Sequence, residues 1–257
     1  MNPIILASKK DPAGLNIVDN LKKLGCKIPI HLVETEIIHA ENIDKTLNAD
    51  FIIWASKHQS EKEIKTLTVH PIGNFNKAEF GGKPKTICPS NPLILKHFFQ
   101  TLNKNNNLDY KVSMEATHHG PHIETPSLFI EIGSTKKQWQ DKKAGELIAK
   151  TILESIKTFS KNSSQVAIGI GGPHYCPNFN KIQLENKFAL SHIIPEYALP
   201  INEKMIQQTI DKTTKKPEYA ILDWKGLGKA EQKNKILEIL KDFNLKIIKT
   251  SEAKENL

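Results

Sequence analysis

The chain predicts an α/β sandwich built around a mixed, largely parallel sheet. Short apolar runs of strand length alternate with stretches of helical period, the pattern of strand–helix–strand units. Runs such as FIIWA (Phe51–Ala55) and QVAIGIGG (Gln165–Gly172) are apolar almost throughout, as strands buried on both faces must be. The 257 residues are enough for a sizeable core, and neither a linker nor an internal repeat divides them. A single domain over 1–257 is therefore expected, with irregular insertions near 71–90 and 173–200.

Each element has its own signal. PIILA (Pro3–Ala7) reads as a strand, and DPAGLNIVDNLKKLG (Asp11–Gly25) as a helix capped by Asp11 and closed by Gly25. IHLVE (Ile30–Glu34) and FIIWA are further strands, and TLTVH (Thr66–His70) alternates. NPLILKHFFQTLNKNNN (Asn91–Asn107) looks helical and ends in a polar loop. KVSMEAT (Lys111–Thr117) puts Val112, Met114 and Ala116 on one face, and SLFIEIG (Ser127–Gly133) is an apolar strand with Glu131 inside it. QWQDKKAGELIAKTILESIKTF (Gln138–Phe159) spaces Leu147, Ile148, Ile152 and Ile156 along one helical stripe. After QVAIGIGG and the loop PHYCPNFN comes an irregular path to Pro200. A helix from about Asn202, the strand YAILDW (Tyr219–Trp224), a helix from about Lys229 and the strand LKIIKT (Leu245–Thr250) follow. The polar tail SEAKENL is expected to fray.

Net charge is +8, and all 36 basic residues are lysine. A basic surface favours polyanions such as nucleic acid. Without arginine, any phosphate contact must use lysine, hydroxyls or backbone amides rather than a guanidinium fork. No apolar run reaches the 18 or so residues that a membrane helix needs, and the opening MNPIILASKKDPAG has too short an apolar core for a signal peptide. Cys26, Cys88 and Cys176 are odd in number and far apart, so no disulfide framework is expected and the cytoplasm is the expected compartment.

Seven of the ten histidines sit in loop or strand-end positions beside glycine, proline or acidic residues: His58, His70, His118, His119, His122, His174 and His192. His58 follows FIIWA, His70 ends TLTVH, His118 and His119 follow KVSMEAT, and His174 follows QVAIGIGG. Ligands of open α/β sheets bind beyond the carboxyl ends of the strands, so four strands would deliver imidazole to one rim. Any one of these reads as an ordinary loop histidine; their recurrence points to a clustered site. The HH pair is no spaced zinc motif, so it permits a metal without specifying one.

Two carboxylates sharpen the pattern. Glu115 shares the polar face of its strand with Ser113 and Thr117. Glu131 lies between Ile130 and Ile132, where an unpaired charge is costly unless the strand face is exposed or a lysine pairs with it. Carboxylates in such runs otherwise bind metal or serve as acid or base. Glu124 reads as a surface residue. GIGGPHY (Gly169–Tyr175) and GNFNKAEFGGKP (Gly73–Pro84) are glycine turns able to expose backbone N–H groups, although Pro173 and the spacing exclude a dinucleotide fingerprint. There is no GxSxG elbow, and Cys176 lacks the surroundings of a thiol nucleophile. Water activated by a metal or by a His/Glu base is the favoured chemistry.

Together, KKDPAG (Lys9–Gly14), ASKHQS (Ala55–Ser60), LTVHPIGNFNKAEFGG (Leu67–Gly82), EATHHGPHIETPSLFIEIGSTKKQW (Glu115–Trp139), VAIGIGGPHYCPNF (Val166–Phe179), LSHIIPEYAL (Leu190–Leu199) and LDWKGL (Leu222–Leu227) resemble the archaeal and plant type of D-aminoacyl-tRNA deacylase. The resemblance spans nearly the whole chain in order. It implies a three-layer α/β/α fold similar to peptidyl-tRNA hydrolases and nucleoside phosphorylases. It also implies hydrolysis of the ester between a D-amino acid and the terminal ribose of tRNA. The partner would be tRNA carrying a D-amino acid, with no membrane, and the protein a monomer. Bound zinc is implied too, led by His118, His119 and His174, with His58 and His70 as candidates for a second ion. Glu115 or Glu131 would be the general base beside His119, and the Gly171 and Gly172 amides the oxyanion donors. Lys57, Lys77 and Lys83 would meet the acceptor-end phosphates. Where the family carries arginine this chain has Lys57, which keeps the charge, and Asn178, which does not. Two other readings remain open: a metallohydrolase of amide or N-acyl small molecules, and a non-catalytic tRNA-binding protein whose histidines stabilise loops.

Overall fold

Capping side chains set where the helices begin. In the computed structural model, which describes residues 1–160, 163–185 and 187–255, the Asp11 carboxylate accepts the N–H groups of Ala13 and Gly14 at 2.9 Å, with Pro12 as the first helical residue. Asn91 and Asp141 cap two later helices in the same way. The first half of the chain runs β1 (Pro3–Ser8), α1 (Pro12–Lys23), β2 (Ile30–Val33), β3 (Phe51–Lys57), β4 (Thr66–His70), β5 (Gly73–Asn74), β6 (Thr86–Ile87), α2 (Pro92–Asn105), β7 (Lys111–Met114) and β8 (Ser127–Gly133). Then come α3 (Lys136–Trp139), α4 (Lys142–Thr158), β9 (Gln165–Ile170), α5 (Pro177–Glu185), β10 (Phe188–Ile194), α6 (Glu203–Asp211), β11 (Tyr219–Leu222), α7 (Ala230–Lys241), β12 (Lys246–Lys249) and α8 (Thr250–Glu255).

The strands form two main sheets. Six are ordered β2-β1-β3-β8-β4-β7, and four, all parallel, are ordered β10-β9-β11-β12. The larger sheet is mixed: β4 runs antiparallel to β8, and β7 runs parallel to β4. The segment after β7 bridges the two sheets, because Ala116 N–H donates to His174 O and Thr117 N–H to Ile193 O.

Period-two alternation then sorts the side chains into layers. Ile5, Ile53, Ala55, Val69, Ile130 and Ile132 face a core completed by Ile17, Phe98 and Ile148 of α1, α2 and α4. Their neighbours Leu6, Ile52, Trp54 and Phe129 face the other way, against Ile37, Ile72, Cys88 and Ile123 of irregular segments. The outer face of the smaller sheet is covered by Met205, Ile206, Ile236 and Leu240 of α6 and α7. Three layers result, as expected. Among the described residues no helix is long and apolar enough to cross a membrane.

The structure departs from the sequence reading at several points. The stretch 173–200, read as irregular, contains α5 and β10; its polar Gln183 turns inward and pairs with the main chain of Leu190, which hides the helix from a purely apolar count. His192 is therefore no loop histidine but a buried β10 residue, with Nδ1 3.1 Å from the Thr117 hydroxyl. The long helix near 138–159 is split by the Asp141 cap into α3 and α4. The tail does not fray over Ser251–Glu255, which belong to α8, while its last two residues lie outside the described ones.

Lys96 of α2 is almost fully buried and donates from Nζ to Gln183 O at 2.9 Å and Phe188 O at 2.7 Å, tying α2 to both ends of the α5–β10 turn. Lys96→Met is expected to lower the unfolding free energy by about 2–3 kcal/mol, since buried carbonyls lose a donor. Urea denaturation measures this. Burial pushes the Lys96 ammonium down to about 8. The native state therefore binds fewer protons than the unfolded chain from there to the ordinary lysine range. Wild-type stability relative to Lys96→Met should accordingly rise between about pH 8 and 10.5.

Candidate active site

Glu131 is the centre from which the site can be built. It follows Phe129 by two residues in β8 and so points to the face away from α1, α2 and α4. Its register partners are Ser56 on β3 and Thr68 on β4, and the Thr68 hydroxyl donates to Oε2 at 3.3 Å. His58, just beyond β3, reaches Glu131 with Nδ1 at 3.7 Å. His70 approaches from the opposite direction, with Nε2 at 3.7 Å. The expected single rim is thus incorrect in detail. Because β4 and β7 run against β8, the imidazoles converge over the face of the sheet, from both ends.

Glu115, fully buried after β7, takes the second central place. His58 Nδ1 lies 3.0 Å from its Oε1, and Nε2 atoms of His118, His174 and His70 lie 3.6, 3.7 and 3.8 Å from Oε2. The rings of His70, His118, His119 and His174 pack with centroid separations of 4.3 to 4.9 Å. Burial alone would raise the Glu115 carboxyl, but the hydrogen bond and charge of His58, with His70 and His174 behind it, hold it down at about 2. Burial likewise opposes charge on His58 and His70, yet Glu115 and Glu131 overcome it and both imidazoles are raised. Burial and neighbouring imidazoles push His118 well down and His119 down to about 3; His174 is lowered as well.

Hydrogen bonds select the tautomers. Nδ1 of His70, His118 and His119 faces the carbonyl oxygens of Pro71, Ala116 and Gly120 at 3.0, 2.8 and 2.6 Å. A carbonyl only accepts, so each Nδ1 carries hydrogen and each Nε2 offers its lone pair when the ring is neutral. His70 Nε2 and Glu115 Oε2 are buried without a hydrogen-bond partner. The groups His70/His118/His119, His58/Glu115/His174 and His70/Glu115/Glu131 each bring donor atoms within 4.8 Å of one another, so these residues could hold a metal ion. His58 differs from the rest: Glu115 occupies its Nδ1 and the Tyr175 hydroxyl lies 2.7 Å from its Nε2.

The cluster opens into a cavity of about 690 Å³ whose walls include His58, His118, His119, Glu131 and His174, with Ile37, Ile38, Phe80 and Trp139 as apolar surface and Lys57 and Lys136 at its edge. A larger concavity of about 860 Å³ between α2 and α4 contains no histidine and is lined chiefly by surface lysines, glutamates and asparagines; chemistry assigns the site to the smaller one. His119 sits at φ 44°, a conformation rare for a non-glycine residue, and is held there from its surroundings: Gly73 N–H donates to His119 O and Gly120 N–H to Phe80 O, both at 2.9 Å.

Lys77 and Lys83 are exposed and line no part of the cavity, unlike Lys57. Gly171 N–H already donates to Ile194 O at 2.7 Å, and neither Gly171 nor Gly172 lines the cavity, so the expected oxyanion donors do not reach it. His122 and Glu124 pair with each other at 3.3 Å outside the cluster. Sequence reasoning missed Thr68, Trp139, Tyr175 and Lys136. Thr68 could have been found two residues before His70 on the same strand face, and Tyr175 as the neighbour of His174. Trp139, whose indole N–H donates to His58 O at 2.8 Å, carries no such local signal.

The match to known proteins covers this whole framework. Residues 45–248 fit the model of the D-aminoacyl-tRNA deacylase family. The chain is 34% identical to the D-aminoacyl-tRNA deacylase of Pyrococcus furiosus, over 96% of this chain and 99% of that protein. It belongs to the D-aminoacyl-tRNA deacylase family. The deacylase of Methanosarcina mazei is 40% identical over 88% of this chain and 78% of its own length. Among solved structures, a crystal structure of a conserved protein of unknown function superposes with a TM-score of 0.91 and 28% identity, covering 99% of this chain and 97% of the other.

Proposed function

We propose that this protein hydrolyses the ester joining a D-amino acid to the terminal ribose of tRNA, releasing the free amino acid and tRNA. The observation that carries the reading is the buried pair Glu115 and Glu131, surrounded by five imidazoles and opening on a cavity, in a chain of this family.

Ester hydrolysis needs a base for the attacking water, stabilisation of the tetrahedral oxyanion, and a proton for the departing ribose oxygen. Glu131 is the better base of the two carboxylates, because it lines the cavity whereas Glu115 lies behind the imidazoles with its carboxyl held down at about 2. It takes the proton as water oxygen bonds to the carbonyl carbon. Glu115 acts as the anchor of His58. Glu115 at Nδ1 and the Tyr175 hydroxyl at Nε2 orient His58, which lines the cavity and as an imidazolium returns a proton to the ribose oxygen when the ester C–O bond breaks. Lys136, and Lys57 on release from its 3.4 Å pair with Glu36, would offset phosphate charge at the mouth.

The donor set fits zinc: His70, His118 and His119 would hold one ion by Nε2, and His58, Glu115 and His174 form a second group of donor atoms. Bound there, zinc would polarise the ester carbonyl and lower the pKa of water.

Incubation with D-tyrosyl- and L-tyrosyl-tRNA, with and without a chelator, tests both parts. The D-ester should be cleaved in preference to the L-ester, and chelation should abolish cleavage until zinc is restored. Indifference to both esters would reject the deacylase reading, and chelator-insensitive D-specific cleavage would reject zinc alone.

A further inference from the structure

We propose that Phe80 is the platform on which the terminal base of the tRNA stacks, an inference that rests on the deacylase reading above. Phe80 is 65% exposed, the most exposed large hydrophobic side chain among the described residues, and it lines the reaction cavity with His118 and His119. Exposure alone is unremarkable for a single apolar side chain. What distinguishes Phe80 is that its main chain is fixed while its ring is left in solvent. Its carbonyl accepts the Gly120 N–H at 2.9 Å, one residue from His119. On its other side the Asn74 amide donates to Gly81 O at 2.9 Å, and Gly82 N–H donates to Glu41 Oε1 at 2.6 Å. The backbones are in such close approach that a Cβ on Gly81, at φ 72°, would stand 1.8 Å from Ile38 O. A Cβ on Gly120 would stand 2.2 Å from Gly82 N. The glycines thus hold the ring beside the histidines at no cost in side-chain crowding.

The geometry of the substrate decides which part meets this ring. Its carbonyl must enter the imidazole cluster, and the polymer on the ribose side must leave through the cavity mouth. The terminal nucleoside is the group that occupies that mouth. A base stacks on an aromatic face without regard to its hydrogen-bonding edge, which suits an end shared by every tRNA.

Steady-state deacylation of D-tyrosyl-tRNA by wild type, Phe80→Ala and Phe80→Trp tests this, with adenosine monophosphate, ribose 5-phosphate and free D-tyrosine as inhibitors. Phe80→Ala should raise KM roughly 10- to 100-fold with kcat within about threefold of wild type, and Phe80→Trp should keep KM close to wild type. Adenosine monophosphate should inhibit wild type at least about tenfold more strongly than ribose 5-phosphate, and Phe80→Ala should erase that difference. An unchanged KM in Phe80→Ala overturns the proposal. So does an intact preference for adenosine monophosphate accompanied by lost inhibition by free D-tyrosine, which would put the ring in the amino-acid pocket. A wild-type protein that leaves D-tyrosyl-tRNA intact refutes the deacylase reading instead, a separate result of the same assay.

Discussion

Glu131→Gln is expected to cut the single-turnover rate on D-tyrosyl-tRNA about a thousandfold, within the range of 10²–10⁴ typical for loss of a general base. Glutamine keeps the shape of the side chain and can still accept the Thr68 hydroxyl, but it cannot take a proton from water. Stability should fall as well, though less than in Glu115→Gln, because His58 and His70 each lie 3.7 Å from the lost charge. Glu115→Gln should behave differently, because it removes the charge that His58 faces at 3.0 Å in a fully buried site. Breaking a buried pair costs about 3–5 kcal/mol, so a lowered urea midpoint should accompany the loss of rate. Zinc content of the same samples separates the roles: Glu131→Gln that loses rate but keeps zinc has lost its base, and one that loses both has lost a ligand. A rate loss of less than about tenfold would remove Glu131 from the chemistry.

Asp11→Ala is expected to produce the largest combined loss of stability and activity at a residue outside the cavity. One carboxylate oxygen caps α1 through Ala13 and Gly14, and the other accepts the Lys57 N–H at 2.8 Å and the Ser56 hydroxyl at 3.0 Å. It therefore ties the start of α1 to the strand end that delivers His58. Losing the cap costs about 1 kcal/mol, and the stranded buried donors bring the total to about 3 kcal/mol. That total should be read as a fall of several degrees in Tm. A displaced His58 should lower kcat roughly 10- to 100-fold. Asp11→Asn tells the two effects apart. Its oxygen can still cap α1, but its NH₂ group then meets the Lys57 N–H, so only the cap's share of about 1 kcal/mol should return while kcat stays low. Full activity in Asp11→Ala would show that His58 needs no such tether.

The layered fold was legible because its signals are local. Helix starts at Asp11 and Asn202 are short-range capping events, and the strands FIIWA and SLFIEIG announce burial by composition. The face on which Met114 and Ala116 join the core follows from period two alone. The residues that meet in the buried cluster were legible for related reasons. A carboxylate between Ile130 and Ile132 is costly unless a partner compensates it, which marks Glu131; the polar face of its strand marks Glu115, and recurrence at strand ends marks His58, His70, His118, His119 and His174.

Which of these meet, and in what role, was decided only by tertiary structure. Strand direction is a non-local property: nothing within TLTVH says that it pairs antiparallel with SLFIEIG, yet that pairing turns the expected rim into a cluster over the sheet face. The same distance in sequence hid Trp139 beneath His58 and the burial of Gln183 against Leu190. It also concealed that Gly171 spends its N–H on Ile194 while Lys77 and Lys83 stay away from the cavity. By itself the sequence determined the layers, the helix starts and an inventory of reactive side chains, because caps, periodicity and the cost of burying charge act over a few residues. Only the fold decided the tautomers, the charge states and the division between Glu131 facing the cavity and Glu115 behind it, because those depend on atoms brought within 4 Å from strands far apart in the chain.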